Sequence, residues 1–230
     1  MALGNAAAAA AAAIAVAAGS SGGPWTDAEA IAMADASAAQ KPKIAKQLIP
    51  YPQRRKSDMA AYSKRHYGHY RWRLTDPQLI VIHFAVAASI GSIRSTFAHN
   101  RPDPEYGEKP NVCSHYAVGA KGGAVQFVKP GIRCRHVVGL NHVSIGVEHV
   151  GFSDGEVLGR TPQLRGSLRL IQWLRCTYDL GIKRVIGHAE SLSSPFYKEL
   201  DPDFRGRTHG DFRKRSMRVY RRELRELGPC

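Results

Sequence analysis

Acidic side chains are scarce in this chain: 19 Asp and Glu stand against 33 Lys and Arg in 230 residues, a formal net charge of +14. The first 40 residues hold Asp27, Glu29 and Asp35 and no basic residue, which leaves 33 basic against 16 acidic residues, +17, on the remainder. A body so basic implies an anionic partner, whether nucleic acid, a membrane surface or an anionic cell-wall polymer. No basic patch is interleaved with aromatics and no nucleic-acid motif is present, so nucleic acid rests on charge alone and is not an expected partner.

Nor is there a long hydrophobic run. Ala6 to Ala18 is nearly all Ala with Ile14 and Val16, too short and too weakly apolar to span a membrane, and no transmembrane anchor is expected. Followed by Gly19-Ser20-Ser21-Gly22-Gly23, it resembles the apolar core and small-residue cleavage zone of a secretory signal, although no Lys or Arg precedes it. The expected organisation is an Ala-rich leader over 1–24, a flexible linker over 25–48 and one folded domain over 49–230, expected to be a monomer. Cysteine is sparse as well. Cys113, Cys134, Cys176 and Cys230 contain no CxxC pair and allow three pairings. Cys113 and Cys134 flank a hairpin and are the best pair in an oxidising compartment; buried thiols are the alternative.

What is present is organised around Leu79-Ile80-Val81-Ile82-His83-Phe84, an apolar run with a His near its end that reads as a buried strand. Val185-Ile186-Gly187-His188 ends in the same way. Two strands that each deliver an imidazole to the lip of a sheet suit a zinc site, because neutral imidazole is a preferred zinc ligand. Between them, Val112–Val118 and Ala124–Val128 read as a hairpin, and Asn141–Val150 as a strand with Ser144, Gly146 and Glu148 on one face. Helices are expected from Ser57 or Asp58 to Gly68 and from Ser89 to His99. Two more are expected, after a Thr161-Pro162 start and from Asp211 onward. Strands and helices interleave, so the fold class is α/β with a mixed central β-sheet flanked by helices.

His83 at a strand end, Ser114-His115-Tyr116, Ser144-Ile145-Gly146-Val147-Glu148 and Gly187-His188 stand in the order found in zinc-dependent N-acetylmuramoyl-L-alanine amidases. The chain resembles that family, which includes phage-type amidases and peptidoglycan recognition proteins, over roughly residues 74–227. Residues 59–68 and 207–211 look like a secreted bacterial subgroup. The resemblance implies Zn2+ as cofactor, peptidoglycan or muropeptides as substrate, and a secreted or cell-envelope location rather than a cytoplasmic one. It also implies cleavage of the amide between N-acetylmuramic acid and L-alanine. His83 and His188 match the family's metal ligands, Glu148 its catalytic Glu, and His136 a substrate-groove His. Phage-type members place a Tyr where Ser114 stands, so chemistry based on Glu148 is the variant implied.

At the third ligand the pattern departs, because the interval after His188 is longer than the family's. His209, in Arg207-Thr208-His209, is the expected ligand, with Arg207 as cationic helper of the oxyanion; Asp201 and Asp211 are the alternatives. Loss of a ligand would instead mark a non-catalytic peptidoglycan-binding module, which some relatives are.

Overall fold

The computed structural model describes residues 40–230; the leader expected over 1–24 and most of the linker lie outside the described residues. Six strands form one sheet: β1 (Ile44–Lys46), β2 (Leu79–Phe84), β3 (Tyr116–Val118), β4 (Ala124–Gln126), β5 (Ser144–His149) and β6 (Val185–Gly187). Their order is β1-β4-β3-β5-β2-β6. Only β3 and β4 pair antiparallel, as the hairpin requires; the other neighbours are parallel, so the sheet is mixed as expected. Residues 44–46 fall in the expected linker, yet they form β1 and pair with β4, so the sheet begins before residue 49. Three residues beside Lys41-Pro42-Lys43 are too few to show a strand period.

Among the described residues, five α-helices surround the sheet: α1 (Gln53–Tyr67), α2 (Ile90–Ala98), α3 (Asp154–Gly159), α4 (Thr161–Thr177) and α5 (Lys214–Arg225). β2, between β5 and β6, is covered on both faces, which is why it reads as an unbroken apolar run. Ile80 and Ile82 join Ile145, Leu168, Ile171, Met217 and Tyr220 in the larger core. On the other face Leu79 and Val81 meet Val137, Leu140 and Ile186. Each buried Leu, Ile or Met side chain in these clusters contributes ~1.5–3 kcal/mol.

The helix ends follow local chemistry. α1 starts directly after Pro52, earlier than the Ser57 or Asp58 cap expected, and stops at Gly68, whose φ of 85° lets its N–H reach the Lys64 carbonyl. Ser89 caps α2 through a reciprocal bond with Ser92. Arg160 rather than Thr161 is the N-cap of α4, with Pro162 in the first turn. α5 begins at Lys214, not Asp211, because Phe212 has a φ of 52° and cannot continue a helix. Two disulfides close the molecule: Cys113–Cys134, the favoured pair, and Cys176–Cys230, which ties α4 to the carboxyl end.

Candidate metal centre and active site

β2 and β6 are parallel neighbours with Ile82 opposite Gly187, so the next residues, His83 and His188, leave the sheet side by side. Their Nδ1 atoms are 3.0 Å apart. Asp211 closes a triangle, with Oδ2 at 3.1 Å from the His83 nitrogen and Oδ1 at 3.2 Å from that of His188. All three residues are buried. The glycine before His188 has a steric reason, since a Cβ at Gly187 would lie 1.9 Å from the Phe212 carbonyl oxygen. A side chain there would push away the segment that carries Asp211.

The far nitrogen of His83 is fixed by a relay. Ser144 Oγ donates to the Leu140 carbonyl at 2.8 Å, so it must accept from His136 Nε2 at 3.2 Å. His136 Nδ1 is then the acceptor for His83 Nε2–H at 3.1 Å. This tautomer leaves the His83 Nδ1 lone pair facing His188 and Asp211. The His136 ring occupies the space above Gly146, where a Cβ would come within 2.7 Å of it. Asn141 Oδ1 accepts the N–H groups of His136 and Val137 at 2.8 and 2.9 Å and holds that loop in place. The backbone of His83 is held too: its carbonyl accepts His149 Nδ1–H at 2.8 Å, and the same ring reaches Ser167 Oγ at 2.6 Å.

Glu148 stands opposite His83 in the β2–β5 register, only 8% exposed, and its Oε2 has no hydrogen-bond partner. Burial pushes its pKa up to about 7; His83 and His209 oppose that rise, and Asp211 adds to it. Burial lowers His188 to about 4 and His136 well below the usual imidazole value, so both are neutral. Burial also disfavours charge on His83, but Glu148 and Asp211 outweigh it and raise its pKa. Asp211 is held far below the carboxylate range, because the hydrogen bonds and charges of His188 and His83 exceed its burial cost. The pocket therefore favours positive charge between two imidazoles and an ionised carboxylate.

The other residues singled out from sequence lie outside the triangle. His209 is half-exposed; its ring stacks on that of His188 at 4.8 Å, while its Nε2 turns to Glu105 at 3.0 Å. Arg207 is exposed and lies over the rings of Tyr106 and Phe204. Asp201 lies beside His66, away from the triangle. His115 is a buried structural residue that accepts Gly146 N–H and donates to the Ile132 carbonyl. The carboxylate that joins the two imidazoles is thus Asp211, an alternative at the sequence level. Asp154 gave no signal at all, yet its carboxylate accepts the N–H groups of Phe212 and Arg213 at 2.6 and 3.0 Å, directly behind Asp211.

The donor set fits zinc. Two imidazoles and a carboxylate are ordinary zinc ligands, and a tetrahedral ion with bonds of about 2.0–2.1 Å needs donors roughly 3.3 Å apart. The edges here, 3.0 to 3.2 Å, are within a few tenths of that. A groove lined by Tyr62, Tyr106, Arg135, His136, Asn141 and Thr208 opens beside the triangle.

A family model described as N-acetylmuramoyl-L-alanine amidase matches residues 73–203, a span that includes His83, His136, Glu148 and His188 and stops short of Asp211. Among solved structures, the catalytic domain of XlyA is similar with a TM-score of 0.49 and 12% identity, over 81% of this chain and 100% of that one. The Ph2119 endolysin from the Thermus scotoductus MAT2119 bacteriophage Ph2119 gives 0.47 and 17%, over 82% and 100%. The N-acetylmuramoyl-L-alanine amidase LysC from Clostridium intestinale URNW gives 0.43 and 14%, over 80% and 96%. No curated protein matches the chain.

Proposed function

Because this chain belongs to the N-acetylmuramoyl-L-alanine amidase family, we propose that it is a zinc enzyme that hydrolyses the amide between N-acetylmuramic acid and L-alanine in peptidoglycan. The observation that carries this reading is the meeting of His83, His188 and Asp211 at one end of the sheet, with the unpartnered carboxylate oxygen of Glu148 on the adjoining strand. We assign the three as metal ligands, with Asp211 in the place expected of His209. Zinc, when bound, supplies an electrophile that polarises the scissile carbonyl and acidifies water.

The protein's own groups do the rest. His136, through Ser144, holds His83 in the tautomer that presents Nδ1. Glu148, kept near neutrality by burial, takes the proton of the attacking water and returns it to the departing amine nitrogen. Aromatic and amide groups along the neighbouring groove suit a glycan-linked peptide. A non-catalytic binding module would have no use for a complete donor triangle beside a buried acid, so the hydrolase is favoured.

Chelation should abolish release of L-alanine-headed peptides from muropeptides, and added zinc should restore it. Glu148→Gln should keep the zinc and lose ~10²–10⁴-fold in turnover. Turnover unaffected by that substitution would refute the role of Glu148. We also propose secretion or residence in the cell envelope, on the support that all four cysteines are paired, as an oxidising compartment allows. Alkylation of the exported protein without reductant should add no label; four labelled thiols would point to the cytoplasm.

A further inference from the structure

His66 has no part in the site above, yet it is fully buried and tightly oriented. It lies at the carboxyl end of α1, where Nδ1–H donates to both oxygens of Glu199 at 2.9 Å. Glu199 is itself buried and also accepts the Asp201 N–H at 2.9 Å. The Leu200 N–H donates to the His66 carbonyl at 3.0 Å, so the 199–201 segment wraps the ring. Tyr62 stacks on one side at 3.8 Å and Phe204 packs edge-on at 4.8 Å. The other ring nitrogen, Nε2, is buried with no hydrogen-bond partner.

That nitrogen is aimed at carboxylates. Glu108 Oε1 lies 3.8 Å from it, and the donor atoms of His66, Glu108 and Asp201 are all within 4.8 Å of one another. The second oxygen of Glu108 is held by Arg65. A histidine oriented by a carboxylate through one nitrogen, and presenting the other to acidic groups, is the arrangement that supports a metal ligand. Magnesium and calcium prefer all-oxygen sets, whereas imidazole with carboxylates suits zinc and its transition-metal neighbours.

We propose that His66 Nε2, Glu108 and Asp201 form a second divalent-metal site of the zinc class, distinct from the triangle of His83, His188 and Asp211. Its role is structural, because the buried rings of Tyr62 and Phe204 enclose the imidazole. The ion clamps three segments together: the end of α1, the loop that carries Glu108, and the 199–203 stretch. Two of these also form walls of the groove. Tyr106 and Glu105, from the Glu108 loop, meet His209 at 3.4 and 3.0 Å, and Arg207 lies over Tyr106. Closing the clamp sets the spacing of those walls.

Zinc stoichiometry after equilibrium dialysis of the full chain tests this. Asp201→Asn is the informative variant, since Asn can still accept the Asp203 N–H that Asp201 Oδ1 accepts at 3.0 Å. We expect two equivalents in the unmodified chain, one in Asp201→Asn, one in His188→Ala and none in the double variant. In the His188→Ala chain, added zinc should raise the melting temperature, and Asp201→Asn should remove that rise. A His188→Ala chain that binds no zinc, or an Asp201→Asn chain that loses none, overturns the second site. An unmodified chain with one equivalent that Asp201→Asn alone removes would keep the second site and refute the first.

Discussion

His83 and Glu148 are carried by strands whose backbones are matched over six residues, and His188 follows a strand paired to the same β2. Asp211 is carried by irregular chain and is held by fewer means. Its carbonyl accepts the Ala189 N–H at 3.0 Å, Asp154 ties down the two residues after it, and Phe212 plugs the core. The strand half cannot shift without breaking the sheet, whereas the loop half can open locally at a lower free-energy cost. A site with one rigid and one dockable half can have its chemistry in place and still depend on a loop to complete it.

The largest effect is expected at Asp211, the proposed ligand of the loop half. Asp211→Asn should weaken zinc binding by more than about 100-fold, since even an outer partner of a ligand is worth 10–100-fold. His209→Ala, which removes only a stacked and half-exposed ring, should retain the zinc. Metal titration of the pair decides it, and a loss of zinc confined to His209→Ala would reverse the assignment. Gly187→Ala acts at the seam of the halves, where the clash is with backbone and must shift one of them. Overpacking of this kind costs ~1–3 kcal/mol. It should lower the melting temperature and weaken zinc binding together, and an unchanged melt would show that the seam yields freely.

A smaller effect should appear in acid, in the 103–108 loop that meets His209 through Glu105. Asp103 accepts Arg135 at 2.7 Å and the N–H groups of Glu105, Tyr106 and Glu108. Burial raises its pKa, but Arg135 and these donors outweigh it and leave the folded value depressed. Its stabilisation is therefore complete above the unfolded pKa, near 4, and is lost as pH falls through the lower folded value. Asp103→Asn should flatten the acid limb of the stability curve by at most about one proton per chain. Acid titration followed by circular dichroism would show an unaltered limb if the loop contributes nothing.

The same division governs what could be read from sequence. The meeting of His83, His188 and Glu148 was legible because a strand ties each residue to an apolar period, and neighbouring strands then place them together. Asp211 was legible only as an alternative to His209. The amphipathic pattern of α5 runs on to Phe212, so the helix seemed to begin at Asp211, and only the φ of Phe212 frees that carboxylate from capping duty. The interval after His188 is long because residues 199–201 detour around His66, a contact across 133 positions that no local pattern encodes. β1 was hidden by its brevity. Cys176–Cys230 was hidden by its separation of 54 residues.

That second disulfide makes the last quarter of the chain a covalent ring. It encloses His188, Glu199, Asp201 and Asp211. The most exposed part of the ring is residues 205–210, which run between the two proposed metal ligands His188 and Asp211. A protease that cuts once in that stretch parts the two residues in sequence but leaves both on one covalent particle. The severed carboxyl piece, with Asp211 and α5, stays tethered through Cys230 to α4, and α5 keeps Met217, Tyr220 and Leu224 in the core. The nicked molecule remains a single particle, and only combined cutting and reduction would release the piece.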